Sequence, residues 1–267
     1  MVLGPARIIR DHRSEMTYIG PLREILSRSY RPQVTPDEAR WASGLAAWDL
    51  LHLDRGGELM GEVNSWLSDE SRLSTGYQLE RVEFKEVPVP SAFHLIFERG
   101  LDEDDIAELQ ELYATLKGRT EIALRDFRKG ILVAPGDVGV GISQMVPVVV
   151  AALRKHDGVL AIEQPELHIH PAIQVGIGDL FINAIQADQQ GLTTGKTLVV
   201  ETHSEHVLLR LLRRIRETTD NELAPGTVGL NAKDLSVIYV EDDDRGVRFR
   251  ALCDGPGCLD SFRGGIS

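Results

Sequence analysis

Residues 158–171, GVLAIEQPELHIHP, run from an apolar stretch straight into acidic and amide side chains and then into two histidines. A short apolar run opened by glycine reads as a buried strand, and such a strand delivers carboxylates rigidly to a site at its carboxyl end. A second run of the same kind, residues 197–202 (TLVVET), ends at His203. Two parallel-type strands, each tipped with reactive groups, point to an α/β fold with one site shared by both strand ends.

At 267 residues the chain can hold one large α/β domain or two modest ones and bury a substantial core. Its formal charge of −12 argues against coating nucleic acid by bulk electrostatics, although a local basic face is compatible with it. No apolar run reaches the roughly 18 residues of a membrane helix, and the opening MVLGPARIIRDHR lacks the apolar core of a signal peptide. The chain therefore reads as a soluble cytoplasmic protein with no membrane partner. The two cysteines, Cys253 and Cys258 in CDGPGC, are too few for a structural zinc site and read as free thiols.

The front of the chain is irregular and the back regular. Residues 1–75 form a mixed lead segment, with a helix expected from Pro36 that carries Trp41, Trp48 and Leu51 into the core. Residues 77–87 (YQLERVEFKEV) and 92–98 (AFHLIFE) read as strands. Residues 103–116 place Ile106, Leu109, Leu112, Tyr113 and Leu116 on one face of a helix behind an acidic first turn. EIALRDF and ILVAP, joined by Arg128, Lys129 and Gly130, read as a hairpin. It leads into GDVGVGISQMVP (136–147), where Gly139 and Gly141 free backbone N–H groups to approach an anion. A helix from about Ser143 would add its positive end. A glycine-rich turn before a helix is, taken alone, most often just a turn.

The order of these pieces is more specific: a Gly/Ser loop opening a helix, a strand tipped with carboxylates, a helix, and a strand ending in histidine. In this order the chain resembles the AAA-type ATPases of the ABC/SMC-like group, relatives of the ATPase half of OLD nucleases. More narrowly it resembles a bacterial subgroup with a C-terminal domain of unknown function. The resemblance rests on IGPLR (19–23), VNSWL (63–67), DVGVGISQ (137–144), IEQPELHIHP (162–171) and ETHSEH (201–206). It implies the C-terminal part of a P-loop NTPase three-layer fold. Residues 1–75 would form an irregular α+β lead, 76–220 an ATPase core, and 221–267 a small β-rich extension.

The resemblance also implies the site. Glu163 falls at the Walker B acid that holds Mg2+, a hard cation that takes oxygen ligands. Gln164 stands where many relatives carry the glutamate that polarises the attacking water, so either Glu166 substitutes or turnover is slow. His203 matches the switch histidine, and residues 166–170, His170 among them, occupy the D-loop region that touches a partner subunit. Gly139, Gly141, Ser143 and Gln144 match the signature loop, which grips the nucleotide bound to the other protomer. ATP and Mg2+ are the implied cofactors. The implied partners are a second copy of the chain or an upstream-encoded chain that carries Walker A, with DNA or a defence system as a further partner.

A phosphate-binding loop, G-x4-GK[ST], is missing from the sequence. GLTTGKT (191–197) has one residue too few between its glycines and precedes a strand, so it reads as a turn; the loop is expected upstream of Met1. A non-catalytic interaction module or split-gene fragment, and a metal-dependent nuclease, therefore stand beside the ATPase reading. Local alternatives also remain. His168 and His170 could be metal ligands, though the helix expected from Pro171 argues for a turn. Glu205 and His206 read as surface or partner contacts on a helix capped by Ser204. Arg210, Arg213, Arg214 and Arg216 read by default as a solvated face, and Asp242–Asp244 as a hairpin turn rather than a Toprim acidic cluster.

Overall fold

A computed structural model describes residues 16–27, 30–35, 37–100, 102, 105–155, 158–186, 196–243 and 246–254. Three sheets organise them. The first is parallel, in the order β1 (Met16–Ile19), β5 (Gly158–Glu163), β6 (Lys196–Glu201). The second is antiparallel and joins β2 (Tyr77–Glu86), β3 (Lys117–Asp126) and β4 (Ile131–Val133). The third is the hairpin of β7 (Ser236–Asp243) and β8 (Gly246–Asp254). Among the described residues the helices are α1 (Leu45–Leu53), α2 (Glu58–Ser68), α3 (Ala92–Arg99), α4 (Asp105–Thr115), α5 (Val140–Leu153), α6 (Pro171–Ala184) and α7 (Glu205–Thr219).

The parallel sheet holds the two strands expected from the sequence, and β1 from the lead segment joins them. Side chains alternate between the faces of a strand. Thr17, Ile19, Leu160 and Ile162 are buried on one face, with Leu198 and Val200 packed against the same core. That face turns toward α5, as Lys196 on the same side of β6 shows by donating to the Ala151 and Ala152 carbonyls at 3.1 and 2.6 Å. Helix α5 is almost wholly apolar, MVPVVVAA, and is buried along most of its length. A helix that is hydrophobic all round belongs inside. Trp41, Trp48, Leu51, Val63 and Leu67 complete this core from the lead segment, so the tryptophans are core residues as expected.

Several expectations need correction. The helix expected from Pro36 is two pieces, a 3-10 turn at Glu38–Trp41 and then α1. Gly44 breaks them at φ 79°, and an added Cβ there would stand 2.8 Å from Pro147 Cγ. Residues 92–98 are not a strand. They form α3, whose N-cap Ser91 accepts from the His94 N–H at 3.2 Å, so a local cap decided the backbone where β-prone side chains did not. Helix α5 starts at Val140, ahead of Ser143. Helix α4 forms as expected, but Ile106 and Tyr113 on its apolar face stay exposed.

The hairpin across residues 128–130 forms, and β3 also pairs with β2 over ten residues. Asp242 and Asp243 lie at the end of β7, next to the turn into β8. Asp244, Cys258, the opening MVLGPARIIRDHR and residues 191–195 lie outside the described residues.

Candidate functional site at the strand ends

Because β5 and β6 run parallel and Glu163 is the register partner of Glu201, two carboxylates stand side by side at the carboxyl ends of neighbouring strands. Glu163 is half-buried. The Tyr18 hydroxyl donates to its Oε1 at 2.8 Å, and its second oxygen has no partner among the described residues. That bond, aided by burial and by the charges of Glu163 and Glu201, pushes the Tyr18 hydroxyl above its ordinary range, so it stays protonated and remains a donor.

Beyond Glu163 the chain turns sharply. Gln164 sits at φ 43° and His168 at φ 63°, a left-handed conformation that costs a non-glycine residue free energy and needs support from its surroundings. The support is backbone bonding. Gln164 N–H donates to the Glu201 carbonyl at 2.8 Å, and its own carbonyl accepts from Leu167 N–H at 3.1 Å and from Arg23 Nη2 at 2.9 Å. Arg23 is 3% exposed, and its Nε and Nη1 lack partners among the described residues. Burial pushes its guanidinium down to about 10, while the Glu166 carboxylate pulls it the other way.

Glu166 ties the two strand ends together. Its Oε2 accepts from the Thr202 hydroxyl at 2.8 Å and its Oε1 from the His203 N–H at 2.7 Å. The His203 side chain is exposed. Ser204 then caps α7, accepting from Val207 N–H at 3.2 Å and donating to Gln174 Oε1 at 2.6 Å. The charged first turn of α7, with Glu205 and His206, faces outward. Thus Glu163 and Gln164 at the end of β5 and His203 after β6 are brought near one another, with Glu166 bonded to His203 and Gln164 to Glu201.

The glycine loop reaches this unit through its backbone. A Cβ on Gly141 would overlap the His168 carbonyl oxygen and lie 3.1 Å from the carbonyl carbon, whereas a Cβ on Gly139 would meet nothing within 4 Å. Ser143 is buried and donates to the Pro135 carbonyl. Gln144 is buried too, with Nε2 donating to the Arg23 carbonyl at 3.3 Å. Through Arg23, the loop helix and the Gln164 turn share one support. His170 lies apart from these contacts: it caps α6, its Nδ1 accepting from Ala172 N–H at 3.2 Å.

Sequence reading did not single out Tyr18 or Arg23. Arg23 belongs to the IGPLR segment, but its contact with Gln164 spans 141 residues and that of Tyr18 with Glu163 spans 145. The basic run on α7 also differs from a solvated face. Arg214 is 3% exposed and bonds Asp179 at 2.7 Å, and Arg210 grips the same carboxylate at 2.9 and 2.8 Å. Arg213 and Arg216 do face solvent.

A family model described as "AAA domain, putative AbiEii toxin, Type IV TA system" matches residues 26–210, more than half of the chain. The chain belongs to this AAA-domain family. No curated protein matches it. Membership places this AAA-domain chain among nucleotide-binding, ATPase-like proteins, a group that generally uses ATP and Mg2+. The match covers both strand ends and the glycine loop. Among the described residues no helix of the AAA-domain chain is long and apolar enough to cross a membrane.

Proposed function

We propose that the chain is an ATP-binding and ATP-hydrolysing subunit that completes its site only at an interface with a partner carrying a phosphate-binding loop. The observation that carries this reading is the register pairing of Glu163 with Glu201 at the ends of parallel strands, with Glu166 bridging to His203. Carboxylate oxygens of this kind suit Mg2+, which takes one or two from protein and fills its shell with phosphate and water. Glu163 would hold the ion through its free oxygen, with Tyr18 fixing the other. Bound there, Mg2+ would neutralise phosphate charge.

The chain's own residues set the limits of catalysis. Gln164 has an amide where a base would act, and an amide cannot take the proton; general-base help is worth about 100- to 10,000-fold. Glu166 has each oxygen in one hydrogen bond, to Thr202 and to His203, which fixes where its carboxylate stands. Turnover is therefore slow, and the nucleotide acts mainly as a clamp. His203, exposed at its strand end, would hydrogen-bond the γ-phosphate of a bound nucleotide, and the Gly139–Gly141 loop would contact a nucleotide held by a partner protomer. The family's description as a putative toxin of type IV toxin–antitoxin systems makes a toxin–antitoxin or phage-defence setting, including DNA as a partner, the first place to look for what the nucleotide drives.

The test is Mg2+-dependent ATP binding and phosphate release by the chain together with a loop-bearing partner, and by its Glu163→Gln variant. Binding that Glu163→Gln abolishes supports the reading. An assembly that binds no ATP rules it out and leaves a second reading, a non-catalytic interaction module, which Gln164 and the missing loop motif favour.

A further inference from the structure

Strands β7 and β8 form a sheet by themselves, pairing only with each other among the described residues. Side chains alternate between the two faces of such a ribbon. The register sets Ile238 opposite Ala251 and Val240 opposite Phe249, and it puts Val247 on the same face, with Asp242 as its register partner beside the turn. That face is apolar. The other carries Tyr239 and Glu241 against Arg250 and Arg248, and its charges meet one another: Arg250 Nη2 lies 3.3 Å from Glu241 Oε1, and the Arg250 guanidinium stands 5.9 Å from the centre of the Tyr239 ring. On the apolar face Phe249 is 73% exposed, Val247 61%, Ile238 59% and Val240 56%, and Ala251 is exposed too.

A two-stranded ribbon is marginal in water on its own, and a contiguous exposed apolar face marks a place of contact. The root of the ribbon is fixed: Leu235 and Val237 pack on Ile182, Leu212, Ile215 and Leu230, against the C-terminal half of α7. His203 and the strand-end carboxylates precede the opposite end of that helix. The ribbon is therefore a surface separate from the candidate site.

The pattern of the apolar face selects its occupant. It offers one large exposed side chain, Phe249, and on the same strand and face the small Ala251. A knob and a hole on one surface match a copy of that surface turned about a twofold axis, which uses each feature twice. The paired charges of Glu241 and Arg250 lie on the other face, so the described side chains here call for an apolar occupant and not a charged one. Two such faces stacked on each other bury on the order of 1,000 Å2 in total, the lower bound for a specific interface. We infer that the apolar face of β7 and β8 is the interface of a symmetric homodimer, a four-stranded sandwich in which each Phe249 seats on Ala251 of the partner subunit. Nucleotide plays no part in this contact, and the test is run without it.

Sedimentation equilibrium of the whole chain across the micromolar range should show a monomer–dimer equilibrium, and the melting temperature should rise with protein concentration. Phe249→Asp, at a position exposed in the single copy, should weaken dimerisation by at least about tenfold and leave the melting temperature of the dilute chain unchanged. Ala251→Leu adds apolar surface but fills the hole, so it should also weaken the dimer by about tenfold, whereas a merely sticky patch would associate more tightly. A chain that stays monomeric throughout overturns the proposal; if Phe249→Asp then lowers the melting temperature, the face is covered by another part of the same chain. A dimer as tight in Phe249→Asp as in the wild type places the interface elsewhere, and a tighter dimer in Ala251→Leu removes the twofold seat; either result overturns the proposal equally.

Discussion

Gly141 is held where no side chain fits, against the His168 carbonyl. Gly141→Ala should push apart the loop and the Gln164 turn at a cost of about 1–3 kcal/mol, as overpacking does, whereas Gly139→Ala, in open space, should cost a few tenths of a kcal/mol; urea denaturation of both variants checks the contrast. Lys196 has a pH signature. Burial, with Arg154 adding repulsion, pushes its ammonium down to about 8, below its unfolded value of about 10.4. Between these values the unfolded chain holds the extra proton, so the contribution of Lys196 to stability rises with pH. Measured as melting temperature, the wild type should gain on Lys196→Met between about pH 8 and about pH 10. In an assembly with a loop-bearing partner, Gln164→Glu should raise phosphate release by about tenfold or more, and His203→Ala should lower it; unchanged rates for both would place the chemistry elsewhere. Glu163, Glu166 and His203 were legible because each ends or follows an apolar run. Arg23 and Tyr18 were not, because their partners lie over a hundred residues away.

At the scale of elements, periodicity located α4, α7 and β2, continuous apolar runs located β5 and β6, and the glycine-rich turn marked the start of α5; pattern failed where a local contact outweighed it. Residues 92–98 carry apolar, β-prone side chains, yet the Ser91 cap starts a helix there. The α7 stripe shows the converse: its basic residues look solvated in sequence, but the α6–α7 packing brings Asp179 to meet Arg210 and Arg214. Asp179→Asn should leave the buried Arg214 with Glu217, 3.3 Å away, as its remaining charge partner and cost about 3 kcal/mol by urea denaturation. Arg213→Ala removes only an exposed pair with Glu217 and should cost less than about 1 kcal/mol. No loss for Asp179→Asn would mean that α6 and α7 are held by apolar contact alone.

At the scale of the whole molecule, the proposed nucleotide site lies at the paired ends of β5 and β6. If Mg2+ bridges Glu163 to a phosphate held by a partner, a chelator should abolish the rise in melting temperature that ATP gives the assembly, while ATP should leave the melting temperature of the isolated chain unchanged. A rise that survives chelation would mean that the nucleotide is held without Glu163. The sequence by itself determined the α/β class and the two parallel strands that end in Glu163 and Glu201. These depend on local alternation and on side-chain types, which a single stretch of chain carries. Only the tertiary structure decided that β1 lies beside β5, that Arg23 and Tyr18 support the turn and the carboxylate, and that Gly141 presses on His168. Those facts depend on which distant segments meet, and burial of the shared core, rather than any one stretch, fixes that.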